Sequence, residues 1–340
     1  MESLKDVNVV IDVLHPAPVI GLGRPLILVA SNKASYKEYN VELSLESIKE
    51  DYDITTATYK LAETIFAQAN KSDVICIATY VGESPLQGES LVEVVDEYFG
   101  KSWHFALLAD GTPPERLALS NKVELHDFKF AVVQVNDPEE VKVFKNNPHT
   151  IVYYHTNEGE RLDGAVIGDA ANLTVGSITW KFRKNLKGVT PIEITPTVLD
   201  KLHESGANAY VLKAGIPQTS EGLVATGEYI DFYHGRDWIK ANMETNLQSM
   251  LVNNDKVPAN SNGVSLIAAV ATSTLTTAGQ QGIIDVNEED KYDFNVYTKS
   301  FDEGKPSDIQ RRIYSGLTFD YKAQGAIHKI NVKGSVMSNK

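Results

Sequence analysis

The sequence predicts an α/β domain built on a doubly wound, mostly parallel sheet, then an α+β domain, with a strand-patterned arm at each end. Three observations lead there. Between about residues 26 and 155, short near-continuous apolar runs alternate with amphipathic stripes of helical period. Beyond about residue 195, two long helical patterns give way to strand-like segments. Both ends alternate apolar and polar residues and are set off by glycine or proline. The expected divisions are an N-terminal arm and linker at 1–25, the α/β domain at 26–194, the α+β domain at 195–324 and a C-terminal arm at 325–340.

In the N-terminal arm, Val7, Val9, Ile11 and Val13 share one face of a strand, and Asn8 and Asp12 lie on the other. Pro16, Pro18, Gly21, Gly23 and Pro25 separate that strand from the first buried run, because such residues punctuate turns. Five runs then read as strands: 26–30, 74–78, 103–108, 128–135 and 150–154. Their near-continuous apolar character fits strands covered on both faces of a parallel sheet. Between them, Leu61, Ile65, Phe66 and Ala69 form one helical stripe, and Leu91, Val92, Val95 and Phe99 another. Alternating units of this kind wind into a parallel sheet through right-handed crossovers.

In the second half, a helix ending near His203 leads through Gly206 to a strand at 209–213 and a short strand at 223–226. Ile239, Met243, Leu247, Met250 and Leu251 give the next helix its apolar face. Val264, Ile267, Ala268, Ala271 and Leu275 do the same for its successor, after the capping segment 260–263. Strands are expected within 292–297, 313–321 and 326–333.

With 42% hydrophobic and 23% charged residues among 340, the composition excludes collagen-like and disordered chains and suits two self-sufficient cores. The single cysteine, Cys76, sits in an apolar run, so a buried inert thiol is expected and an intramolecular disulfide is impossible. A formal charge of −13 argues against nucleic-acid binding, which needs a basic surface. The N-terminus has no apolar core of a signal peptide, and the apolar stretch near 264–271 is too short to span a bilayer. A soluble, cytoplasmic product without a membrane anchor is expected.

Catalytic motifs are mostly missing. Gly21-Leu-Gly23 lacks the third glycine of a dinucleotide loop and precedes a strand, and no Walker loop occurs. Neither Gly82-Glu-Ser84 nor Gly88-Glu-Ser90 continues into a nucleophile elbow. His149 and His155 are six apart, with no carboxylate spaced to complete a zinc face. The segment 285–290 fails as a calcium loop because Asp290 takes the glycine position. Serine, histidine and aspartate for a hydrolase triad are present, as in any chain this long, and geometry decides whether they meet. His104, on an apolar strand, reads as a core histidine. No catalytic residue, metal ligand or cofactor is expected.

Three features stand out. Asp237, Trp238 and Ile239 close an aromatic-rich entry into a long helix; Asp237 is expected in the first helical turn, where a carboxylate meets exposed N–H groups. A plain helix start is the simpler reading. The terminal segment from Lys322 to Lys340 carries four lysines and no acid, and 285–303 carries seven acids against two lysines. These suggest head-to-tail association between copies, or ordinary solvated surface.

Gly235-Arg-Asp-Trp-Ile239 and the helix behind it, then Lys256-Val-Pro258, Gly263-Val-Ser-Leu-Ile-Ala268 and the closing segment 325–334, resemble in order and spacing the C-terminal region of contractile-phage tail sheath proteins. Gly235, Asp237, Trp238, Ile239, Pro258 and Gly263 are the positions carrying the likeness. Where that family commonly has a Pro-Tyr-Thr type turn, this chain has Pro258-Ala-Asn-Ser-Asn262. The resemblance implies a subtilisin-like N-terminal domain, a non-enzymatic structural subunit, and no cofactor. It implies partners as well: further copies in a helical sheath of stacked rings, a tail tube protein, and baseplate and tail terminator proteins. Val7, Val9, Ile11 and Val13 of one arm, and Ile327, Lys329, Ile330, Val332 and Lys333 of the other, would then add strands to neighbouring subunits. Such a product is assembled in the host cytoplasm into a virion tail. A hydrolase on a doubly wound fold and a non-contractile virion protein remain the competing readings.

Overall fold

The computed structural model describes residues 21–82, 90–157 and 159–335. Strand β1 (Pro25–Ala30) is followed by β2 (Ser35–Asn40), α1 (Glu46–Lys49), α2 (Ala57–Phe66), β3 (Val74–Tyr80), α3 (Leu91–Glu97) and β4 (Phe105–Leu108). Then come α4 (Pro113–His126), β5 (Phe130–Val135), β6 (Thr150–Tyr154), α5 (Leu162–Ala170), α6 (Pro196–Glu204), β7 (Ala207–Lys213) and β8 (Ile216–Thr219). The chain closes with α7 (Ile230–Asn253), α8 (Ser261–Gln281), β9 (Phe294–Thr298), α9 (Pro306–Gln310) and β10 (Leu317–Tyr321).

One sheet holds eight strands in the order β2-β3-β1-β4-β5-β6-β7-β8. Its interior strands run parallel, and β2 and β8 close the edges antiparallel. The alternation of side chains along each strand sends Ile27, Ile77, Phe105, Leu107 and Phe130 to one face, under α2 and α5. Leu26, Leu28, Cys76, Ala78 and Ala106 go to the other, under α3 and α4. Both faces are covered, which is why these runs read as continuously apolar. The edges are blunted: β2 is Ser-Tyr-Lys-Glu-Tyr-Asn, and β8 carries Pro217, which cannot donate to a further strand.

The expected division at 194/195 cuts this sheet. β7 pairs in parallel with β6, and β8 with β7, so residues through 219 belong to the first sheet. Periodicity reveals strands but not which sheet they join. The short strand expected at 223–226 is also replaced: Leu223 makes one bridge to Tyr229 and the rest is turn.

Beyond the sheet, α7 and α8 pack on the antiparallel pair β9–β10 around Ile239, Met243, Ala271, Leu275, Ala278 and Ile283. The apolar face of α7 fades toward its end, where Leu251 is 52% exposed. Asn260 caps α8 as expected, its side-chain oxygen accepting from the N–H groups of Asn262 and Gly263 at 3.0 and 3.4 Å.

Candidate functional site at the junction

Asp237 is not in the first turn of its helix. α7 begins at Ile230, so Asp237 lies two turns inside it and is fully buried. The helix dipole therefore does not explain its place. Its Oδ2 accepts from the Lys129 N–H at 3.1 Å and lies 3.2 Å from His104 Nε2. Its Oδ1 lies 3.9 Å from His149 Nε2. His104, Lys129 and His149 immediately precede β4, β5 and β6. One turn before Asp237, His234 donates from Nε2 to the carbonyl of Leu22, just ahead of β1, at 2.9 Å. The start of α7 is thus fastened under the amino ends of four central strands.

The electrostatics of this junction depend on burial. Burial by itself would raise the Asp237 pKa, but the hydrogen bond from the facing His104 imidazole leads the contributions that outweigh it and hold the carboxyl below its usual range. Burial lowers the His104 pKa against the opposing pull of Asp237. His234, stacked on His104 with ring centres 5.3 Å apart, is pushed by burial and by that neighbour down to about 3. Lys129 is almost wholly buried, and that burial takes its pKa down to about 7. Its ammonium donates to the carbonyls of Phe99 and Lys101 and sits 3.9 Å from the Trp103 ring centre, contacts that favour the charged form.

Arg236 extends the junction outward. Its Nη2 donates to His149 Nε2 at 2.6 Å and lies 3.1 Å from Asp127 Oδ1. Glu124, Asp127 and His149 bring three donor atoms of metal-binding type within 4.8 Å of one another, a grouping invisible in the sequence. An arginine N–H always donates, so His149 Nε2 is the acceptor and the neutral ring carries its proton on Nδ1. That nitrogen then has no lone pair for a cation; its N–H faces Glu124 Oε2 at 3.5 Å.

The remaining motif residues are structural in a similar way. Ile239 is buried in the core between α7 and α8, and Trp238 packs against that core. A Cβ on Gly235 would come within 2.8 Å of Ile283 Cγ2. A Cβ on Gly263 would stand 1.8 Å from the Pro258 carbonyl oxygen, so the two motif residues that flank the α7–α8 turn meet in space.

The expected arm residues fare differently. Val7, Val9, Ile11 and Val13 lie outside the described residues. Residues 326–333, expected as a strand, have no strand partner among the described residues: Ile327, Ile330 and Val332 are 80%, 79% and 86% exposed. A strand needs a ladder, and the described residues present none to that segment. Lys329 and Lys333 are exposed too. In the acidic stretch, Asp285 is paired with Lys322 of the same chain at 2.7 Å.

The carboxyl ends of β4, β5 and β6, where doubly wound enzymes bind their ligands, form a cleft of about 340 Å³. Its charged groups are largely spent on one another: Arg116 with Glu140, Arg161 with Asp163, and His155 with Glu160 at 2.6, 2.7 and 2.8 Å. A serine–histidine pair does occur, Ser220 Oγ with His203 Nε2 at 2.9 Å. Ser220 is fully buried and its Oγ accepts from the Ala209 N–H, so it cannot reach a substrate. Among the described residues, no helix is long and apolar enough to cross a membrane.

Residues 230–336 match the sequence model of the E217 tail sheath protein gp31-like C-terminal domain. The C-terminal part of this chain is therefore similar to a tail sheath domain. The matched region begins with the first residue of α7, so the buried contacts of Asp237 and His234 join it to the sheet. The fold of the whole chain is similar to that of a chain in the anti-feeding prophage (AFP) baseplate, at TM-score 0.71 and 15% identity, covering 99% of this chain and 100% of that one. It is also similar to the PVC sheath complex of an extracellular contractile injection system in the contracted state, at 0.72 and 11%, covering 98% of each chain. A sheath tail protein from Listeria innocua follows at 0.58 and 11%, covering 88% of this chain and 94% of that one. No curated protein matches the sequence. The matched region and the sheet beneath it therefore share one known architecture, a mixed α/β fold with a large, mostly parallel sheet.

Proposed function

We propose that this chain is the structural subunit of a contractile tail sheath. Copies stack helically around a tail tube and contract together to drive the tube into a target cell. The observation that carries this is the match of residues 230–336 to a tail sheath domain, on a chain whose fold runs the length of sheath subunits. We read the doubly wound sheet as that family's subtilisin-like domain, and the boundary between the two domains as lying near residue 229, where α7 starts.

In this reading the segments 1–20 and 325–340 are arms that add strands to neighbouring copies. The exposed, unpaired Ile327, Ile330 and Val332 support it, because main-chain hydrogen bonds to a neighbour's sheet edge would give them the ladder they lack. The tube, baseplate and terminator proteins would be the other partners, with assembly in the host cytoplasm. The subunit would do no chemistry. The fully buried Ser220 and the mutually paired charges of the cleft disfavour a hydrolase.

Electron microscopy of the purified full chain tests the reading. Striated tubes are expected. Monomers under every condition, together with stoichiometric labelling of one serine by a fluorophosphonate, would replace the sheath reading with the hydrolase.

A further inference from the structure

Between Gln324 and Ser335 a single residue is not exposed: His328. Backbone pairing with the subunit ends at Gln324, whose N–H donates to the carbonyl of Ile283 at 3.0 Å. Beyond it, among the described residues, the segment is held by this one side chain. The imidazole, 11% exposed, is hydrogen-bonded through Nε2 to Thr179 Oγ1 at 2.8 Å, and its Nδ1 lies 3.4 Å from Glu221 Oε2. Tyr229 and Phe182 meet it edge to face, with ring centres at 4.9 and 5.9 Å. Glu221 is itself anchored by Lys181. A socket of one hydroxyl, one carboxylate and two ring edges matches the donor, acceptor and flat faces of an imidazole.

We propose that His328 is a latch: it stows the root of the C-terminal segment on its own subunit and slows the transfer of that segment to a neighbouring copy. The inference rests on the sheath reading for the transfer, and on the socket alone for the latch. The physical reason is the mismatch along the segment. Its main chain beyond Gln324 makes no backbone–backbone hydrogen bond among the described residues, and its three apolar side chains face water. Lying there is therefore favoured by His328 and little else. Strand addition elsewhere would satisfy the main chain and cover Ile327, Ile330 and Val332. The segment thus has a stowed and a transferable arrangement, and the socket biases it toward the first.

The single cysteine is buried, so an Ile330→Cys substitution offers one accessible thiol for a nitroxide label on the full chain. With the latch intact, electron paramagnetic resonance should report restricted motion of that label. His328→Ala should free it. Thr179→Val, which alters the socket and leaves the segment's own sequence untouched, should shift it the same way. Both variants should form polymer faster at equal concentration, by about three- to tenfold, the effect of losing one hydrogen bond with its ring contacts. Unchanged label motion in both variants overturns the latch. Unchanged or slower polymerisation overturns its role as a brake. If neither parent nor variants form tubes, the brake falls with the sheath reading, while the label on the soluble subunit still decides the latch.

Discussion

Asp237 Oδ2 lies 3.2 Å from His104 Nε2, and neither side chain is more than 1% exposed. One belongs to the long helix α7 and the other to the residue that leads into the central strand β4. This contact, with the Lys129 N–H on the same oxygen, makes the two parts of the chain one body.

Asp237→Ala should therefore be far more damaging than a change at an exposed acid. It leaves the His104 imidazole and the Lys129 N–H buried without a partner, and each buried polar group so stranded costs about 1–3 kcal/mol. Asp237→Asn keeps an acceptor for the Lys129 N–H and should cost less. Urea denaturation monitored by tryptophan fluorescence reads both, and equal stability of D237A and the parent would sink this account of the junction.

Acid should loosen the same junction. His104 and His234 have folded-state pKa values below the ordinary 6.5, His234 at about 3, so the unfolded chain takes up protons first as pH falls. Stability is then lost progressively from about pH 6.5 downward. Asp237 adds to the loss only at lower pH: its depressed pKa contributes stability above the unfolded value of 3.8, lost as pH falls through the folded one. Asp231 opposes the trend, since burial raises it to about 6 and it favours the folded state as pH drops below that. The net expectation is a denaturation midpoint that falls between pH 6.5 and 4, with a shallower slope in His234→Gln. A flat profile in the parent would contradict it.

Two glycines should differ in a predictable order. At Gly263 a methyl group would meet a backbone carbonyl at 1.8 Å, and the turn itself must open. At Gly235 it would meet a side-chain methyl at 2.8 Å, which can shift. Gly263→Ala should cost about 1–3 kcal/mol, and Gly235→Ala less, despite alanine's better helix propensity at both. Thermal melts of the two variants check the order.

The terminal lysines test the proposed arms. Replacing Lys329 and Lys333 with glutamate should slow polymerisation at low salt, with recovery as ionic strength screens the repulsion. If these lysines merely keep an exposed strand from sticking, the doubly substituted chain will assemble normally in light scattering at every salt concentration.

Cys76 should be silent in all of these experiments. Burial raises its pKa to about 11, so a thiol reagent at pH 8 is expected to label it only after unfolding. Rapid labelling of the folded chain would show that this face of the sheet opens.

The parts of this protein that its residue pattern alone makes legible are those whose signal is local. The five buried parallel strands can be read because burial on both faces forces a continuous apolar run, and the capped α8 because Asn260 precedes a helical stripe. The order of the motif from Gly235 to Gly263 is enough to point to the sheath family. The charged edge strand β2 carries no such run and escapes a reading by pattern. The helices α4 and α5 escape it as well, one with few apolar residues and one buried on every side. Three matters were settled only by the folded chain: that β7 and β8 belong to the first sheet, that Asp237 answers His104 rather than a helix end, and that His328 finds a socket 149 residues away in sequence at Thr179. The reason is common to all three. Periodicity records which face of an element is buried, whereas a pairing between distant elements depends on where folding brings them, and no local pattern encodes that.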